Sequence, residues 1–286
     1  MFASIGGGSC HERNRMTRRL EDKVAFITGV ARGQGRAHAV RLAQEGAQIV
    51  GIDLAGPLPG VPYDSPTVDD LDETRRLVEA EGAKAHLVQC DVRDLDGTKA
   101  VLEEGVAQFG GLDVVVANAG ICIPQTWDEI TPESFRDTLD INVTGVWNTI
   151  TAAAPHLIAR GGGSIVVTSS LAGVKLQPFM VHYTTSKHAL VGMARAFAAE
   201  LGQHDIRVNS IHPGAVNTPM GSGSMRERIA QTAESNPRLG GMTMPFLNKY
   251  MAEADEIANM VAFLASDESA FVTAQSFAID GGAQYF

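Results

Sequence analysis

In the stretch SIVVTSSLAGVKLQPFMVHYTTSKHALVGMARAF, Tyr183 and Lys187 stand four residues apart, and Ser170 precedes the tyrosine by 13. On a helix an i, i+4 pair shares one face, so the phenol and the ammonium reach a common ligand. A phenol starts near pKa 10, roughly three units too high for a base at neutral pH. An adjacent ammonium favours the phenolate and draws that value down. The pair has the types and spacing of a general base with its activator.

A second segment, VAFITGVARGQGRAHAV, joins an apolar run to a helical pattern through Gly29, Gly33 and Gly35, spaced G-x-x-x-G-x-G around Arg32 and Gln34. Glycines there let the backbone turn sharply and approach a pyrophosphate, while N–H groups at the helix start attract an anion. This is the pattern of a dinucleotide cradle. Asp53, followed by Leu54, closes the next apolar run 18 residues after Gly35. A carboxylate at that point accepts hydrogen bonds from both hydroxyls of an adenosine ribose and repels a 2′-phosphate, which favours NAD over NADP. Arg32 has three readings: a cation for a phosphate on the ribose, a partner for the pyrophosphate, or a solvated side chain.

These groups need a scaffold. VAFIT (24–28), AQIVGI (47–52), AHLVQC (85–90), DVVVAN (113–118), SIVVTS (164–169), IRVNSI (206–211) and SFAI (276–279) are short and rich in Val and Ile, which predicts seven buried strands. Helical patterns lie between them. One starts at Thr131-Pro132-Glu133, a cap, a proline at the first helical position and an acid at the positive end of the dipole. Another, VDDLDETRRLVEAEG, carries Val68, Leu71, Leu77 and Val78 on one face with Gly82 as its stop. Such alternation predicts an α/β fold: a Rossmann-like, doubly wound, seven-stranded parallel sheet with helices on both faces, in three α/β/α layers. The expected layout is a flexible tail over 1–20 and a single domain over 21–286.

The chain has 286 residues, 44% hydrophobic, with 23 Lys and Arg against 33 Asp and Glu, a formal charge of -10. That balance gives no footprint for nucleic acid or an anionic membrane surface. No apolar run approaches the roughly 18 residues of a membrane span. The opening MFASIGGGSCHERNR lacks the apolar core of a signal peptide, and a lipoprotein reading of Cys10 lacks the same stretch. Cys10, Cys90 and Cys122 are far apart and outside metal spacings, as are His182 and His188, so no metal is expected and a cytoplasmic, reducing location is.

Together these motifs resemble the short-chain dehydrogenase/reductase family from about Lys23 to Gly282. TGVARGQG is similar to its glycine motif, Asp91-Val92 to its adenine-contacting pair, Asn118-Ala119-Gly120 to its central-strand motif and YTTSK to its catalytic helix. The resemblance implies NAD as cofactor and hydride transfer at a carbinol carbon. It implies that Tyr183 takes the alcohol proton, that Ser170 fixes the substrate oxygen, and that Lys187 lowers the tyrosine pKa and binds the nicotinamide ribose. Asn142, in DINVTGVW, would hold a water of the proton relay, and Pro213, Gly214, Val216 and Thr218 would contact the nicotinamide carboxamide. A homotetramer paired through helices near 132–159 and 183–202 is also implied. An NAD-sensing binding protein would leave the co-occurrence of Ser170, Tyr183, Lys187 and Asn142 unexplained, and a nucleotide-sugar epimerase would carry a different glycine motif and a larger C-terminal domain.

Two segments depart from the plain family pattern. Asp53 and Asp91 are 38 residues apart, about a dozen more than the family needs, and the surplus is a proline-rich insertion over about 55–67. With RGQGRAHAV and NTPM it resembles the mycofactocin-coupled subgroup, which includes carveol dehydrogenase-like enzymes. That resemblance implies NAD held without free exchange and reoxidised in place by mycofactocin; a surface loop clear of the cofactor, in a dehydrogenase with exchangeable NAD, is the alternative. Prolines would stiffen such a cover and lower the entropy lost when it packs. The second segment, about 217–250, is read as an irregular substrate lid. Met220, Met225, Met242, Met244, Phe246, Leu247 and Met251 fit either a cover over a hydrophobic, terpenoid- or steroid-like alcohol or ketone, or packing on the domain or a neighbouring subunit.

Overall fold

A computed structural model describes residues 18–58, 60–221 and 223–285. The tail expected over 1–20 therefore lies outside the described residues up to residue 17, and Cys10 with it.

The chain forms strands β1 (Val24–Thr28), β2 (Gln48–Asp53), β3 (Ala85–Gln89), β4 (Val114–Ala117), β5 (Gly163–Thr168), β6 (Ile206–Pro213), the short β7 (Val216–Asn217) and β8 (Ala252–Glu253), and β9 (Ser276–Ile279). Seven of them make one parallel sheet in the order β3-β2-β1-β4-β5-β6-β9, while β7 and β8 pair separately. Strand side chains alternate between two apolar layers. Val24 and Phe26 join the layer with Val115, Ile165 and Val208, whereas Ala25 and Ile27 join Val114, Val116 and Val166 on the opposite face. A strand buried on both faces has no polar side, which explains its unbroken Val/Ile composition.

The helices are α1 (Gly33–Gln44), α2 (Val68–Ala80), α3 (Leu95–Phe109), α4 (Pro132–Leu139), α5 (Gly145–Arg160), α6 (Val181–Leu201), α7 (Gly223–Ala233) and α8 (Ala254–Ala265). Helices α1, α2 and α8 cover one face through Leu42, Val78 and Val261; α3, α5 and α6 cover the other through Leu102, Ile150 and Leu190. The result is the expected three-layer, doubly wound architecture. Strand order reverses between β1 and β4, and ligands of such sheets bind at that crevice, beyond the carboxyl ends of the strands.

Local chemistry agrees with the sequence at α4, where Thr131 Oγ1 accepts the Ser134 N–H at 3.1 Å and Pro132 opens the helix. It differs in three places. On α2, Val68 is exposed and Thr74 occupies the buried stripe with Leu71 and Val78. The Thr74 hydroxyl is tolerated there because it donates to the Ala31 carbonyl at 2.8 Å. The long helix expected near 132–159 is interrupted by a π turn, Asp140–Thr144, between α4 and α5. The segment expected to be irregular over 217–250 contains α7, and its neck is pinned by β7 against β8, with the Ala252 N–H bonded to the Ala215 carbonyl at 2.9 Å.

Candidate active site

The turn after β1 carries the glycine loop to the start of α1. Gly29 adopts φ +69°, and a Cβ on Gly35 would stand 1.9 Å from the Gly29 carbonyl oxygen, so the helix start can approach the turn only with glycine there. Arg32 precedes α1 without a side-chain cap, and the first turn holds no acid. Its leading N–H groups are thereby left for an anion. Arg32 lines the cavity beside this helix start, and its Nη2 donates to the backbone carbonyl of Asp64, inside the insertion.

Asp53 is buried at the end of β2, and its two oxygens do different things. Oδ2 accepts the Ala31 N–H at 2.9 Å and Oδ1 accepts the Ala55 N–H at 3.0 Å, so one carboxylate braces both the glycine loop and the first turn of the insertion. Burial pushes its pKa up, against these two bonds and the nearby Arg32 charge. Each oxygen keeps a lone pair for a further donor. Burial also pushes Asp91 up, but bonds from Arg93 outweigh it and hold the carboxyl below its ordinary range, with Arg93 Nη2 at 2.6 Å. Asn118 donates through Nδ2 to the Thr28 carbonyl at 3.1 Å, and Thr28 Oγ1 accepts the N–H groups of Asn118 and Ala119, each at 3.1 Å.

Tyr183 and Lys187 share a face in the first two turns of α6, with Nζ 5.6 Å from the phenol ring centroid. Lys187 is buried, and Nζ donates to the Thr168 carbonyl at 3.0 Å. Burial pushes its pKa down to about 8. Burial pushes the Tyr183 phenol up, opposed by a hydrogen bond with Ser170. For the protein chain alone, removal of the charged form from water is the largest effect on the phenol. Asn142 sits on the π turn, where Oδ1 accepts the Ile121 N–H at 2.8 Å and Nδ2 donates to Ile121 O and Ser186 Oγ, each at 3.0 Å. A Cβ on Gly120 would lie 3.1 Å from Asn142 Oδ1 and 3.4 Å from Lys187 Nζ, so the asparagine and the lysine both approach the space that glycine leaves open.

One cavity is lined by Gly29, Arg32, Gly33, Gln34, Gly35, Asp53 and Leu54, then by Asp91, Val92, Asn118, Ala119 and Gly120, and ends at Tyr183, Lys187 and Thr218. A second chamber shares Gln34, Tyr183, Thr218 and Met220 with it and adds Ser170, Pro213, Gly214 and Val216. Every catalytic or cofactor-contacting residue expected from sequence lines one of the two except Asn142, which is buried next to Gly120.

The glycine cradle, the strand-end carboxylate and the Ser-Tyr-Lys cluster on one crevice define a constellation that similar proteins share. Residues 29–284 match a family described as Enoyl-(Acyl carrier protein) reductase. A short chain dehydrogenase from Mycobacterium paratuberculosis, solved bound to NAD, superposes with a TM-score of 0.93 at 58% identity, covering 94% of this chain and all of that one. The chain belongs to the short-chain dehydrogenase/reductase family. Within it the chain is carveol dehydrogenase-like: the NAD complex of carveol dehydrogenase from Mycobacterium avium superposes with a TM-score of 0.86 at 44% identity over 93% of this chain and 98% of that one. The (-)-trans-carveol dehydrogenase of Rhodococcus erythropolis is 41% identical over 271 residues, 92% of this chain and 98% of that protein.

In this short-chain dehydrogenase the methionines of 219–251 divide. Met220, Met225 and Met251 line the second chamber, joined by Met180 and Cys122 from outside the segment. Met244, Phe246 and Leu247 are exposed and belong to neither cavity. The Phe246 N–H bonds the Gly281 carbonyl at 2.8 Å, which ties this stretch to the C-terminal turn instead. Sequence reasoning also missed Thr28, Ser186 and the role of His212. The last is buried, donates through Nδ1 to the Ser170 carbonyl at 2.8 Å and lies 3.0 Å through Nε2 from Ser210 Oγ, so it anchors the backbone that presents Ser170. Ser186 lies within YTTSK and was legible by helical spacing; Thr28 opens TGVARGQG, but nothing local pointed to its bonds with Asn118 and Ala119. His182 packs in the interior with neither ring nitrogen bonded. Among the described residues no three His, Cys, Asp or Glu side chains cluster for a metal, and no helix is long and apolar enough to cross a membrane.

Proposed function

We propose that this chain is an NAD-dependent alcohol dehydrogenase/carbonyl reductase acting on an apolar secondary alcohol or ketone, terpenoid- or steroid-like, with NAD retained through many turnovers and reoxidised in place by mycofactocin. The observation that carries the reading is the cavity lined from Gly35 and Asp53 to Tyr183 and Lys187, meeting at Tyr183 and Met220 a chamber lined by Met180, Met225 and Met251. NAD in two similar short-chain dehydrogenases, one of them a carveol dehydrogenase, supports the cofactor and the substrate class. Retention is supported by the insertion: Leu58, Tyr63 and Pro66 line the cofactor cavity, and Arg32, which lines it too, donates to the Asp64 carbonyl of the insertion.

The residues present fit the cofactor. The uncapped start of α1 with Gly33 and Gly35 would hold the pyrophosphate, Asp53 the adenosine ribose and Asp91 with Val92 the adenine. Lys187 and Tyr183 would hold the second ribose, and Pro213, Gly214, Val216 and Thr218 the carboxamide. When bound, oxidised NAD supplies the two-electron redox chemistry and a positive charge in the cavity that favours phenolate over phenol. Tyr183 Oη takes the alcohol proton, Ser170 orients the substrate oxygen, and the low lysine pKa lets Lys187 pass a proton toward Asn142 and solvent near neutral pH. Tyr183→Phe is expected to lower kcat/KM by about 10²–10⁴-fold, the range for loss of a general base. Unchanged turnover would exclude Tyr183 as the general base.

Retention is tested on the purified protein. Heat denaturation should release NAD(H) in one-to-one amount, and turnover should require an artificial electron acceptor. Efficient repeated turnover on added NAD from an empty enzyme would instead establish an ordinary dehydrogenase with exchangeable NAD.

A further inference from the structure

The insertion does more than lie over the adenosine end. Tyr63, nine residues beyond Leu54, is 6% exposed, and its Oη accepts the Cys122 N–H at 3.3 Å. Its ring forms one apolar cluster with Cys122, Met180 and Met225, against which Tyr183, Met220 and Ile229 pack. Tyr63 lines the cofactor cavity, whereas Cys122, Met180 and Met225 line the substrate chamber. The phenol ring therefore stands in the partition between the two, carried there by a segment inserted at the far end of the nucleotide.

We propose that Tyr63 sets the size limit of the substrate chamber, acting as a positioning residue that holds the Cys122–Met180–Met225 wall against the reacting end of the site. The inference rests on the oxidoreductase reading only for the identity of the ligand as an apolar alcohol or ketone. Its physical content is that a ring wedged behind three chamber-lining side chains fixes their positions, because packed interiors lack spare volume. A smaller side chain lets that wall retreat. Loss of an aromatic ring opens more room than the single methylene that a hydrophobic pocket typically discriminates by 10–200-fold.

The test uses the full-length protein and Tyr63→Phe, Tyr63→Leu and Tyr63→Ala, each checked for its melting transition. Binding of cyclohexanone and 4-tert-butylcyclohexanone is measured by calorimetry, and oxidation of the matching alcohols by kcat/KM. Tyr63→Phe keeps the ring and should hold the bulky-to-small ratio within about twofold of wild type, whereas Tyr63→Ala should raise it by about tenfold or more, through KM rather than kcat. Tyr63→Leu should fall between them and serves if the alanine variant does not fold. Equal weakening of both ligands, or an unchanged ratio in folded Leu and Ala variants, overturns the proposal. Size discrimination in binding that shifts as expected, in a protein that oxidises neither alcohol, would sustain the role of Tyr63 and reject the oxidoreductase reading.

Discussion

Lys187 shows what one residue costs the fold for the sake of the site. It is 4% exposed, its ammonium faces the Thr168 carbonyl, and burial lowers its pKa from an ordinary 10.5 to about 8. Between those values the unfolded chain holds a proton that the folded chain has released, so stability rises with pH from about 8 to 10.5. Below pH 8 the penalty is present in full. Lys187→Met should therefore be more stable than wild type at pH 7, by roughly 1–3 kcal/mol in urea denaturation, and should lack activity. The gap should narrow as pH rises through that window; a gap independent of pH would mean that the lysine is not buried as a charge. Tyr183, Lys187 and Ser170 were legible because their spacing is helical or strand-to-helix and local. The support from Thr28 and His212 was not, since it comes from residues distant in sequence that only the sheet order brings near.

At the scale of elements, the seven strands were legible almost residue by residue, because burial of the inner five on both faces leaves runs of Val, Ile and Ala with no helical period; the edge strands β3 and β9, expected to be buried, are only partly so. The π turn at Asp140–Thr144 was not, since one extra residue in a helical turn leaves no compositional mark. Yet that turn carries Asn142 to Ile121 and Ser186. The β7–β8 pair was likewise too short to register as a pattern. The methionine-rich segment was read by composition, which reports apolar content but not direction. Its geometry now divides it: Met225→Asp should raise KM for apolar alcohols by about tenfold or more, as a desolvated carboxylate costs at least that in a hydrophobic chamber. Phe246→Asp, on the outer surface, should leave steady-state kinetics near wild type. Equal effects of the two would place the alcohol outside the second chamber.

At the scale of the molecule, α5 and α6 expose Trp147, Ile158 and Val181, and Phe271 and Tyr285 stand out near the C-terminal end. These side chains support the proposed homotetramer, and light scattering should give a mass about four times 30.3 kDa. Trp147→Glu is expected to yield smaller species; a wild-type monomer would count against the assembly. The same scale holds the neck of the segment over 217–250. Because β7 and β8 hold residues 216 and 252 side by side, the two ends of the segment between them meet at one neck, while Met225 and Phe246 tie its body to the domain. A segment whose ends are fixed next to each other can change length and sequence between them at little cost to the sheet, so substitutions there are expected to reach the second chamber, through Met225 and Met251, before they reach the strands.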